Sequence, residues 1–164
     1  STLAGVAVQK QLAVFAALPA LLVMEPAFVS SAGALGGILS SRTSTNLHLG
    51  VVEPRINPGP VVRQDALLVF ALGFPVFLFN ALGAAGAAAV LGQDGPGLVW
   101  MVLLSLIGGA VTVAFVTALA YYSTMAAWRF DVDPDTYGIP VVTATVDFVG
   151  VVILIVTMFA LGIA

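Results

Sequence analysis

Four apolar runs, each long enough to cross a bilayer, constrain this chain more than any other feature. They cover roughly residues 11–40, 66–91, 98–128 and 139–164. About 20 helical residues, rising about 1.5 Å each, cross the hydrocarbon core. Runs of this length predict an all-α integral membrane fold with four long transmembrane segments. The chain is 60% hydrophobic and 8% charged, whereas soluble domains carry about 25% charged residues. That difference excludes a water-soluble core. With 164 residues, the chain is expected to form one compact transmembrane domain over 1–164. It opens on Ser1 rather than Met. That suits an excised membrane domain whose upstream helix or regulatory domain lies outside this sequence.

Several function classes fall away. Cysteine is absent, which removes disulfides, thiolate metal sites and thiol nucleophiles. No nucleophile–base pair or phosphate loop is present, and the Gly-Ala-Leu-Gly-Gly run 33–37 opens no βαβ unit. An enzyme is not expected. The net charge of −3 gives no sign of a nucleic-acid partner; the partner is the lipid bilayer. His48 stands alone and makes no metal site.

Within the first run, Pro19 and Glu25-Pro26 should break the helix, because proline disfavours helix at the preceding residue and frees carbonyls. The small residues from Ser30 to Gly37 suit close helix contact, or an unwound stretch facing a cavity. Residues 41–65 are expected to be a polar loop carrying Arg42, Arg55 and Arg63. Arg129 falls on the same side two crossings later, and Lys10 on the other. The positive-inside rule then puts loop 41–65 and residues 129–136 in the cytoplasm and the C-terminus outside. Pro75 should kink the second segment, and Asn80 suits a hydrogen bond across helices. Gly108-Gly109 marks close packing or a kink. Trp100, Tyr121, Tyr122 and Trp128 suit the membrane interfaces.

Asp147 lies inside the last run. A carboxylate at bilayer depth costs about 2.5–3.5 kcal/mol on insertion scales. Its uses there are ion coordination, proton relay or pairing with a base, and no Lys or Arg lies within an apolar run. At about 100° per residue, Thr143, Asp147, Gly150, Leu154 and Thr157 share one helix face. A hydroxyl, a carboxylate and a gap in line have the form of a pore-lining stripe. Glu25 is a second carboxylate inside a run and a candidate for the same pathway. Asp131, Asp133 and Asp135 crowd one helix mouth, where they either gather cations or suit a helix N-terminus.

Two ordered motifs give the chain a family resemblance. The late one is Asp133-Pro134-Asp135, Pro140, Thr143 and Asp147; the early one is Pro26-Ala27, Gly33, Ser41-Arg42 and Ser44-Thr45. Together they resemble the MgtE-type divalent-cation transporters and their eukaryotic solute-carrier relatives. Where that pattern has Asn, this chain has Ala34 and Thr136. The resemblance implies a homodimeric Mg²⁺ channel or transporter in the plasma membrane, with its path at the dimer interface. Asp147, Thr143, Gly33, Ala34, Gly36 and Gly150 would line the path, and Asp133 and Asp135 would gather ions at the cytoplasmic mouth. Mg²⁺ keeps much of its water, so a wide, carboxylate-poor site suits it. Four segments are too few to enclose a pore alone, which also points to a symmetric pair. Two other functions remain: a proton- or Na⁺-coupled exchanger using Asp147 and Glu25, and a non-transporting structural subunit.

Overall fold

The computed structural model describes residues 19–163. Most of them lie in four helices: α1 (Pro19–His48), α2 (Pro60–Val90), α3 (Leu98–Arg129) and α4 (Pro134–Ala160). All four are long and apolar enough to span a membrane. Residues 11–18 of the first predicted run, and Lys10, lie outside the described residues.

The local chemistry explains the boundaries. Proline opens α2 and α4 at their first turn, where its missing N–H costs nothing and its fixed φ is already helical. Asp133 caps α4 by accepting from the Asp135 amide at 3.2 Å. At the C-terminal ends the chain turns through left-handed residues: Gly50, Gly92, Asp131 and Gly162.

Within the described residues, from Pro19 to His48, the first segment is one continuous helix, so the break expected at Glu25-Pro26 does not occur. It continues through Pro26 and through the glycines at 33, 36 and 37. Neighbouring helices support the chain there, so the local preference of Pro and Gly for a break is overridden. The loop is also shorter than expected. Residues 41–48 extend α1 and residues 60–65 begin α2, leaving only 49–59 between helices. Likewise α4 starts at Pro134, five residues before the apolar run.

Side-chain proximities fix the helix directions. Phe28 lies by Gly108 and Val116 by Gly36, so α1 and α3 run parallel. Thr143 lies by Gly33 and Val29 by Gly150, so α4 is antiparallel to both. Helix α2 is antiparallel to α1, since Asn80 reaches Ser31 while Asp65 reaches Arg42. Helices α1 and α3 touch each other and both remaining helices, whereas α2 and α4 do not meet.

Glycine brings the helices together. A Cβ at Gly36 would fall on Val116 of α3 and, at 2.5 Å, on Val142 of α4. At Gly109 it would lie 2.5 Å from the Phe77 ring of α2, so the Gly108-Gly109 pair marks close packing. Phe77 in turn lies 4.9 Å from Phe28, tilted by 51°. Across helices, Asn80 donates to Ser31 Oγ at 3.0 Å, and Ser105 donates to the Phe77 carbonyl at 2.7 Å. Ser40 and Thr124 hydroxyls meet at 2.9 Å, beside Gly138, whose missing Cβ makes room for Ser40.

Near the α1–α2 loop, Arg42 donates to Asp65 Oδ1 from Nε at 2.8 Å and from Nη2 at 2.6 Å. Asn46 donates to the other carboxylate oxygen at 3.3 Å. The Asp65 side chain is 7% exposed and Arg42 49%. Removing the acid therefore strands a cation that still reaches water. Asp65→Ala is expected to cost about 1–3 kcal/mol, read as a lower melting temperature in detergent, with Asp65→Asn restoring part of it.

Candidate cation site

The bundle presents two outward ridges between α2 and α4, and their chemistry differs. On α3 the open residues, spaced by three or four, include Leu103, Ile107, Val111, Ala114, Ala118 and Tyr122. That surface suits acyl chains. On α1 the open stripe is Pro26, Ser30, Ala34 and Ser41, with half-buried Gly37 among them and exposed Leu22 and Ile38 at its edges, so its centre is small residues with hydroxyls. Because α2 and α4 do not touch, this stripe forms the floor of a trough with those helices as walls.

Thr143 and Asp147 lie one turn apart on the flank of α4 that meets α1; Gly33 packs toward the Thr143 methyl. Both polar residues are half-buried. The Thr143 hydroxyl donates back to the carbonyls of Ile139 and Pro140, at 3.1 and 3.2 Å. Its proton is thereby used locally, and its lone pairs face outward as acceptors. Among the described residues, the Asp147 carboxylate has neither a hydrogen-bond donor nor a basic partner. Such a group at membrane depth keeps its charge only if water or a cation supplies the missing interaction. Glu25 of α1 is half-buried and lies one turn before Val29, which packs on Gly150, so it borders the same α1–α4 seam as Asp147.

The other candidate residues separate into two groups. Ala34 lies on the exposed stripe of α1, one residue from buried Gly33. Gly36 and Gly150 are buried inside the helix bundle. Gly36 is the point where α1, α3 and α4 converge, and Gly150 faces Val29 and Thr112. These two glycines set helix spacing behind the stripe. Of the two alternatives for the small-residue run, close helix contact occurs and the unwound stretch does not, so the backbone carbonyls of 33–37 belong to a regular helix.

At the far end, Asp133 is largely committed to its helix. It accepts from the Thr136 hydroxyl at 2.6 Å as well as from the Asp135 amide. Those two bonds, with the Thr136 bond the stronger influence, hold its carboxyl below the usual range. Asp131 and Asp135 are exposed, and Asp135 adds negative charge to the first turn of α4. Among the described residues no three His, Asp or Glu side chains gather into a metal cage.

Comparison with known protein families matches residues 25–157 to MgtE, a divalent cation transporter. The chain belongs to the MgtE family. The match runs from Glu25 to Thr157 and takes in most of α1 and α4 and the whole of α2 and α3. Comparisons with curated proteins and with solved structures gave no match. MgtE membership and four apolar spans together make this a multi-pass membrane protein of a divalent-cation transport family. Two features of the site were not evident from the sequence motifs. One is Ser30, which shares the open stripe with Ala34 and is signalled by the four-residue spacing from Pro26. The other is the seam that Glu25 shares with Asp147, which depends on how α1 and α4 are paired.

Proposed function

We propose that two copies of this chain form a plasma-membrane Mg²⁺ channel or transporter, with the α1 stripes and α4 flanks facing across a two-fold axis. The observation that carries this is Asp147: a half-buried acid that, among the described residues, has no donor or basic partner, beside the small, hydroxyl-bearing side of α1. Paired across an axis, two such acids repel each other until a dication lies between them. Mg²⁺ gives up water reluctantly, and a site offering few carboxylates and several hydroxyls accepts the ion with its water shell. Ala34 and Thr143 would border the path. In this orientation the α1–α2 loop and the α3–α4 turn are cytoplasmic, the C-terminus is outside, and Asp135 helps to gather ions at the inner mouth.

The presence of Glu25 and Asp147 along one α1–α4 seam favours a second function, an exchanger in which the two acids carry protons or Na⁺. Mg²⁺ uptake into proteoliposomes separates the two. A channel is expected to pass Mg²⁺ with no opposing proton or Na⁺ gradient. Flux that appears only with such a gradient identifies the exchanger, and no flux from pure, folded protein identifies a structural subunit.

A further inference from the structure

At the end of the bundle that holds the α1–α2 loop there is a pocket of about 600 Å³. One wall is the last two turns of α3, with Tyr122, Met125, Ala126 and Arg129 at helical spacing on one side. The opposite wall is the loop segment Pro54-Arg55-Ile56. The loop wall is held in place: Tyr121, one residue from the pocket, donates its hydroxyl to the Arg55 carbonyl at 2.7 Å. Trp128 and Phe130 complete the lining.

Two arginines line this apolar pocket. Arg55 is paired with exposed Glu53, which leaves most of its five donors available. Arg129 has no carboxylate partner among the described residues. Large apolar side chains stand open beside them: Ile56 is 78% exposed and Phe130 77%. Two cations at the rim of an apolar hollow, next to Trp and Tyr at a helix end, match the bilayer boundary, where one side meets headgroups and the other acyl chains.

We propose that this pocket binds a phospholipid with an anionic headgroup. Its phosphate would lie between Arg55 and Arg129, and its first acyl carbons would lie against Ile56 and Phe130. A free inorganic anion would satisfy the arginines but leave the apolar wall in water. A zwitterionic lipid would cover the wall but bring its own cation toward the guanidiniums. The anionic lipid satisfies both parts. The site lies at the opposite end of α3 from Trp100 and does not depend on Asp147 or on any transported ion.

The test uses purified protein in a neutral detergent, titrated with short-chain phosphatidylglycerol, with phosphatidylcholine of equal chain length, or with inorganic phosphate. Trp128 fluorescence and melting temperature are the readouts; Trp100→Phe leaves Trp128 as the sole tryptophan. Phosphatidylglycerol is expected to saturate the fluorescence change and raise the melting temperature. Arg55→Gln with Arg129→Gln is expected to weaken that binding about thirtyfold, at about fivefold per basic group, and the corresponding double Lys variant to keep most of it. Ala126→Phe, with both arginines retained and Trp128 still the sole tryptophan, should also weaken binding by filling the pocket. Equal effects of phosphatidylcholine, saturation by inorganic phosphate alone, or a double Gln variant that binds as wild type would each overturn the assignment.

Discussion

Asp147→Ala is expected to lower Mg²⁺ uptake into proteoliposomes by about tenfold or more, while the protein stays folded. Two unit charges about 4 Å apart are worth about 4 kcal/mol at an effective dielectric of about 20. A dication held through one water layer feels less per unit charge, but even a third of that value approaches the 1.4 kcal/mol that makes a factor of ten. Asp147→Asn keeps the volume and removes the charge, so it should lose flux to a similar extent. Stability should move the other way. An acid without a donor at membrane depth is a cost to the fold, so both variants are expected to melt at or above the wild-type temperature. Wild-type flux from Asp147→Ala would defeat the proposed path. A large drop in melting temperature would show instead that the acid serves packing.

Gly36→Leu is expected to have the largest effect on folding. A single Cβ there already overlaps valines on two different helices, and neither valine has a flexible end that can move aside. Overpacking a close-packed core by one or two carbons costs about 1–3 kcal/mol. A leucine adds more, at a junction that α1, α3 and α4 share. Gly36→Ala should show a smaller drop in melting temperature, and Val116→Ala in the same chain should restore part of it. Coupling of about 1 kcal/mol or more between the two positions would mark direct contact. Because Gly36 lies one turn from Gly33 and its Thr143 neighbour, the flux of Gly36→Ala is also expected to fall.

Much of this architecture can be read directly from the sequence. Length and hydropathy place the four spans, and the spacing of Thr143 and Asp147 puts both on one flank of α4. The motif residues point to the family that the match over 25–157 shows. What could not be read depends on tertiary contact. Pro26 and the Gly33–Gly37 run look like helix breakers by local preference, yet α1 continues through them. Residues 41–48 look like loop by polarity, but Arg42 and Asn46 need the helix to reach buried Asp65. Helical spacing alone also gives Gly150 the same face as Asp147. The structure turns it inward to Val29, because the face of α4 that meets α1 is wider than a single line of residues. Asp133 shows a similar limit: as a sequence feature it is one acid in a cluster, and only its bonds to Asp135 and Thr136 show that it caps α4.

The missing contact between α2 and α4 has a mechanical meaning. Among the described residues they share only the α1–α3 keel, so spreading them apart ruptures no bond between the two. The work of opening would be spent where each one leans on the keel. For α4 that means the seam at Gly33, Gly36 and Gly150, whose smooth surfaces let one rod slide along another. A small tilt of one rod along that seam would carry Thr143 and Asp147 with it and leave the far wall standing still.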